Sequence, residues 1–334
     1  MPGLVPGIHV LLTCAKQDVD GRAKPGHDEI YRKCAISIAT FEADLRFVPP
    51  AEFRYEGGRT TRKSLEAPRM EFPPLPYIAV PESFKLPPGA NFGGTSGVAC
   101  NSKGNIFVLH RGPMPLMEFD ADGNFIRGFG DGLFDRPHGL RIDRHDNIWT
   151  TDVAMNLVYK FNPAGRMEMV LGVKGRTGEW HPGGHLRLFH EPNEAVVGPT
   201  GDLYVLEGHG KAESRVVKFD GDGNFIKTLG SKGAGPGEFD LPHSLVFDGQ
   251  GLLYIADRNN ARIQVFDADF NYIRESKHPG TPCGLFMGAD HIWLAHGHTG
   301  QIMRLDLDAT CWARCPAPGR ARQQANTARR ITSR

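Results

Sequence analysis

The sequence predicts an all-β propeller of four-stranded blades: five recognisable blades of a six-bladed design, with the sixth cut short. Three observations predict it. One pattern recurs five times in 334 residues, starting at residues 96, 138, 193, 243 and 283. Each copy holds four short apolar or alternating runs separated by turn signals. Four strands repeated every ~40–50 residues are the signature of a propeller blade. One blade cannot bury both faces of its sheet, so neighbours must stack and the array forms one domain.

The elements follow one grammar. A first apolar strand ends at a polar turn such as "SKGN" or "DRHDN". A second strand mixes aromatic and β-branched residues: "NIWTTD", "DLYVLE", "LLYIAD", "HIWLAH". A third reads "LVYKFN", "RVVKFD", "RIQVFD", "QIMRLD", and a turn such as "DADGN" or "DGDGN" leads into a fourth, "FIRGFG", "FIKTLG" or "YIRES". The Asp-Gly and Gly-Asn steps supply the positive φ that tight hairpins need.

The propeller is assigned to residues 51–310. Residues 1–50 read as an irregular extension without ordered structure, and 51–90 as a Pro-rich segment that wraps the first blade. After "QIMRLDLDA" a sixth unit does not follow. Residues 311–334 hold six Arg and no acid and read as a disordered basic tail, a truncated or frame-shifted end. A ring one blade short is expected to be marginally stable or open at that seam.

The body before the tail is mildly acidic, which argues against a nucleic-acid surface. No run approaches the ~20 apolar residues of a membrane-spanning helix. The segment "IHVLLTCA" is short and lacks a basic lead and a cleavage site, so it is not read as a signal peptide. Six scattered Cys show no framework spacing and are expected to be free thiols.

Blade geometry gives the chemistry a place. A hairpin returns the chain, so the start of each first strand and the end of each second strand lie on one propeller face. Ser96, His138, Asn193, His243 and Cys283 then ring the channel mouth, the last four after the lead-ins "RPH", "EPN", "LPH" and "TPC". His110, Arg111, Asp152, Glu207, His209, Asp257, Arg258, His296 and His298 sit just outside. His138 and His243 belong to blades two and four. Alternate blades of a six-bladed ring give three positions about 120° apart, which suits Zn²⁺ held by three imidazoles with a fourth position open. Asp152, Asp257 and Glu207 are read as acids that bond local backbone N–H groups.

The run "GEFDLPHSLVFDGQGLLYIADRNNARIQVFD" resembles an NHL repeat. The order "SGVA…LHRG", "RPHGLRID…TTDVA", "LPHSLVFD", "ADRNNARIQVF" resembles the peptidyl-α-hydroxyglycine α-amidating lyase propellers over roughly residues 75–310. The resemblance implies zinc bound by histidines of blades two, four and six, and a structural calcium held partly by blade six. It implies cleavage of a peptidyl-α-hydroxyglycine to a peptide amide and glyoxylate, with a tyrosine base and arginines on the carboxylate. On this chain His138 and His243 match two zinc ligands. Arg111 and Arg258 match the arginines. Where the tyrosine is expected, after the second strand of blade three, the chain reads "VLEGHGKAESR", with His209 nearest as a base. The tyrosine and the blade-six histidine have no counterpart, and neither does the blade-six part of the calcium site.

The expected partner is a small carboxylated or peptide substrate. The runner-up is a non-catalytic NHL-repeat scaffold that presents the channel-mouth face to a peptide or protein. A calcium-dependent lactonase-like propeller would need a Glu, Asn and Asp set, for which Asn193 alone stands.

Overall fold

The computed structural model describes residues 83–178, 188–210, 213–278, 280–297 and 301–315, with backbone alone for 311–315. The expected extension at 1–50, residues 51–82 and residues 316–334 lie outside the described residues.

Twenty strands form five antiparallel sheets of four, each in sequence order. Blade one is β1 (Thr95–Cys100), β2 (Ile106–His110), β3 (Leu116–Phe119) and β4 (Phe125–Phe129). Blade two is β5 (Pro137–Ile142), β6 (Ile148–Asp152), β7 (Leu157–Phe161) and β8 (Met167–Leu171). Blade three is β9 (Pro192–Val197), β10 (Leu203–Glu207), β11 (Arg215–Phe219) and β12 (Phe225–Leu229). Blade four is β13 (Pro242–Phe247), β14 (Leu253–Asp257), β15 (Arg262–Phe266) and β16 (Tyr272–Lys277). Blade five is β17 (Pro282–Met287), β18 (Ile292–His296), β19 (Gln301–Leu305) and β20 (Cys311–Cys315).

The first strands are innermost, and β1, β5, β9, β13 and β17 contact one another in that order. Among the described residues β17 and β1 make no contact of that extent. Every second strand is buried along its whole length, because both faces of its blade are covered. The outermost strands expose Ile126, Ile226 and Ile273.

The core lies between the blades. Leu109 and Phe107 pack on Leu140 and Phe161 across joint one–two. Trp149 and Val158 meet Val205 and Phe219 across joint two–three. Tyr204 and Leu206 meet Ile255 and Phe266, and Tyr254 and Ile263 meet Leu294 and Met303. Such burial is the main favourable term in folding. The other face of blade one is covered by Phe84, Leu86, Ala90 and Phe92, with the Phe84 ring 4.7 Å from Phe119 and edge-on to it. The described part of the Pro-rich lead-in therefore does wrap the first blade.

One turn design joins the third and fourth strands. Asp120 Oδ1 accepts the N–H groups of Asp122 and Asn124, and its Oδ2 accepts the Asn124 amide. Asp220 and Asp267 repeat this with Asn224 and Asn271. The side-chain and backbone donors of those Asn residues hold all three carboxyls below the usual range.

Two expectations need correction. The boundary at residue 310 falls too early, because β20 pairs with β19 from Leu305↔Cys311 to Ile302↔Cys315. Its entry is the same turn, with Asp306 Oδ1 accepting the Thr310 N–H. "CWARC" lacks an alternating pattern, but an outermost strand is held largely by its backbone ladder. Cys100 is disulfide-bonded, to a partner outside the described side chains, whereas Cys283 is a buried thiol that forms no disulfide.

Acid lability has a candidate at the end of blade four. Burial lowers the His278 imidazole to about 4; a carbonyl contact at Ala309 opposes this and neighbouring His296 adds to it. The unfolded chain takes up this proton below pH ~6.5 and the folded chain does not until about 4. Stability is therefore fully present above pH ~6.5 and falls as pH drops toward 4, by about 3 kcal/mol at most. Urea unfolding across this range should show the slope, and His278→Gln should flatten it. An unchanged slope in the variant would rule His278 out as its source.

Candidate functional site

The four lead-in prolines, Pro137, Pro192, Pro242 and Pro282, open β5, β9, β13 and β17. Proline has no N–H, so the first residue of a strand is among the few places it fits in a sheet. The next residue in each strand is the predicted ring residue. His138, Asn193, His243 and Cys283, with Ser96 of β1, line one cavity on the propeller axis.

The two histidines are close, with ring centroids 4.9 Å apart. Both are buried. His138 Nδ1 lies 2.9 Å from the Asn193 carbonyl oxygen, and His243 Nδ1 lies 3.0 Å from that of Cys283. A carbonyl only accepts, so each Nδ1 carries the proton and Nε2 carries the lone pair. Each imidazole is thus oriented by the backbone of the following blade. Asn193 Nδ2 donates to the Pro242 carbonyl at 2.6 Å, while its Oδ1 is buried with no hydrogen-bond partner among the described residues.

His209 follows β10, and its position was not legible from spacing alone. Its ring centroid is 4.6 Å from that of His138 and 6.1 Å from that of His243. One donor atom from each of the three lies within 4.8 Å of the other two. Glu191 Oε2 is 3.9 Å from His209 Nδ1. Three imidazoles, two of them oriented by carbonyls, suit a late first-row divalent cation such as zinc. Cys283 is in the ring but is not part of this cluster.

The arginines flank the histidines. Arg111 Nε donates to the Pro137 carbonyl at 3.5 Å, beside His138. The Arg258 N–H donates to the Leu241 carbonyl at 3.3 Å, two residues before His243. A pairing of Arg258 with Asp257 is not formed, because Asp257 Oδ2 is taken by Arg262 at 2.8 Å and Asn260 at 2.9 Å. Arg258 Nε is buried with no partner among the described residues.

The residues that end the second strands form a structural set. His110, Asp152, Glu207, Asp257 and His296 each accept a backbone N–H from the segment leading into their own blade's first strand, from Gly93, Asp135 and Arg136, His190, Asp240 and Thr281 respectively. They latch each blade's entrance. Burial pushes the Glu207 carboxyl up to about 7, against the opposing pull of Arg215. Burial likewise raises Asp257. His298 lies outside the described residues.

Deeper in the channel lies a crossing ion pair that no sequence motif announces. Arg141 of β5 donates through Nε to Glu194 Oε1 at 2.8 Å, and through Nη2 to Ser244 Oγ at 3.0 Å and the Leu285 carbonyl at 2.9 Å. Glu194 Oε2 accepts the Leu245 N–H at 2.9 Å. One guanidinium thus ties blades two, three, four and five.

Stacked four-stranded blades around a lined axial cavity define a β-propeller. A family model described as a 6-bladed beta-propeller matches residues 201–300. The chain is 36% identical over 225 residues to peptidyl-glycine alpha-amidating monooxygenase A of Xenopus laevis, covering 57% of this chain and 23% of that one. It is 35% identical over 187 residues to NHL repeat-containing protein 3 of Mus musculus, covering 53% of each. It is 31% identical over 208 residues to a probable peptidyl-alpha-hydroxyglycine alpha-amidating lyase of Caenorhabditis elegans, covering 54% of this chain and 57% of that one. The chain therefore spans a little over half the length of the last two and about a quarter of the frog protein. It is a β-propeller that is similar to NHL repeat-containing protein 3 and to the peptidyl-α-hydroxyglycine α-amidating lyases. Among its described residues no helix is long and apolar enough to cross a membrane.

Proposed function

We propose that the channel mouth is a lyase-like centre that binds a divalent metal, zinc first, and a small carboxylated or peptide substrate. The observation that carries this reading is the pair His138 and His243, 4.9 Å apart with both Nδ1 atoms held by carbonyls, in a cavity flanked by Arg111 and Arg258. A metal bound there would supply Lewis-acid polarisation of a substrate hydroxyl. The two guanidinium groups would clamp a carboxylate. The orphaned Asn193 Oδ1 would accept a substrate N–H or hydroxyl. On a peptidyl-α-hydroxyglycine the hydroxyl proton leaves, the C–N bond breaks, its electron pair goes to the amide nitrogen, and that nitrogen takes up a proton. A peptide amide and glyoxylate result.

Glyoxylate release from a hydroxyglycine peptide by zinc-loaded protein tests this. Arg258→Gln should lower kcat/KM about 10- to 100-fold, the scale of a lost charge-assisted hydrogen bond. Release at the same rate from the variant would remove Arg258 from the site.

The missing tyrosine and the similarity to NHL repeat-containing protein 3 favour a second reading, a scaffold that binds peptide or protein on the same face. Peptide binding with no glyoxylate release would select it.

A further inference from the structure

We propose that His209 is the third ligand of the metal site, so that blades two, three and four complete the site and no blade-six residue is needed. This rests on reading the channel mouth as a metal centre, and it moves His209 from proton transfer to coordination.

Distance comes first. The three donor atoms lie within 4.8 Å of one another. A tetrahedral zinc site with bonds of 2.0–2.1 Å spaces its nitrogens about 3.4 Å apart. Closing the set by little more than ~1 Å is within reach of small side-chain rotations. Ring orientation agrees. His138 and His243 carry their protons on Nδ1 and their lone pairs on Nε2, and on His209 it is again Nδ1 that faces an acceptor, the Glu191 carboxylate at 3.9 Å. An acceptor hydrogen-bonded to the far nitrogen is the usual support of a metal-bound histidine; His138 and His243 have one, and the Glu191 carboxylate must close by roughly 1 Å to supply it to His209.

The backbone explains how His209 arrives there. In blades one and four the residue after the second strand is Arg111 or Arg258, and its N–H donates to the lead-in carbonyl of Gly94 or Leu241. In blade three the matching bond to the Glu191 carbonyl, at 3.3 Å, comes from His209, because Gly208 is interposed. Gly208 has φ 119°, a conformation side-chain-bearing residues rarely adopt, and a Cβ there would collide with the Glu213 carbonyl oxygen. The extra glycine thus puts an imidazole where two other blades put a guanidinium. The resulting site has three neutral ligands and no carboxylate, so a bound dication keeps its full charge toward an anionic substrate.

The test uses the full chain, freed of metal and titrated with zinc chloride, and separately with cobalt(II) read by its visible absorption. The expected result is one equivalent bound by the unmutated protein, with the strong cobalt bands of a tetrahedral centre. His209→Ala and His209→Gln should each weaken zinc at least 100-fold and reduce or shift those bands, with unchanged far-ultraviolet circular dichroism. Zinc affinity and cobalt bands unchanged in both variants would overturn the assignment of His209 while leaving the His138–His243 centre standing. No zinc uptake by the unmutated protein would overturn both. A base that touches no metal would alter turnover and its pH profile but leave the cobalt spectrum as it was, which also counts against the proposal.

Discussion

His138→Ala and His243→Ala are each expected to abolish stoichiometric zinc uptake, with a loss of at least 1,000-fold in affinity. Each removes an imidazole that is buried, oriented by a carbonyl and 4.9 Å from the other, centroid to centroid. A zinc site that drops from three protein ligands to two loses the ligand set from which such centres are built. The two substitutions differ in their side effects. His138→Ala strands the Asn193 carbonyl, which Thr151 Oγ1 still reaches at 2.9 Å, whereas His243→Ala strands that of Cys283. Metal analysis of the purified variants after dialysis against zinc gives the answer directly. A full equivalent of zinc retained in either variant would remove that residue from the centre.

Arg141→Met is expected to be the most damaging single substitution in the channel, at about 3 kcal/mol. Glu194 is 8% exposed, and without Arg141 its charge keeps one backbone donor, the Leu245 N–H. An unpaired buried carboxylate is costly in a way that a missing pair is not. Adding Glu194→Gln should therefore recover most of the loss, to within about 1 kcal/mol of the unmutated protein. Urea unfolding midpoints of the two single variants and the double variant form the cycle that measures it. Equal stability of Arg141→Met and the unmutated protein would show that the crossing pair contributes nothing net.

Much of this molecule was legible because its local rules agree with one another. Asp120, Asp220 and Asp267 announce hairpins by chemistry that needs no tertiary context, and the prolines ahead of His138, Asn193, His243 and Cys283 mark where each blade returns to the axis. Other features hide for stated reasons. Strand β20 shows no alternation because its pairing is carried by backbone. Arg141 looks like an ordinary polar position in "HGLRID", and its partners lie on three other blades. His209 is displaced by a single glycine, so counting from the strand end leaves it in a loop, and only the fold shows how near it comes to His138. In each case the decisive neighbour is remote in sequence.

The carbonyls that hold His138 and His243 have a mechanical consequence. His138 stands on blade two and is steadied by blade three, while His243 stands on blade four and is steadied by blade five. The channel mouth is in this sense a strain gauge for the ring: it reads how tightly two of the joints are shut. The gauge has unequal arms. Cys283 belongs to blade five, whose first strand makes no extensive contact with that of blade one among the described residues, so a loosening that begins there slackens His243 first and leaves His138 in place. Conversely, whatever grips both imidazoles pulls on those two joints as well, through the same two carbonyls.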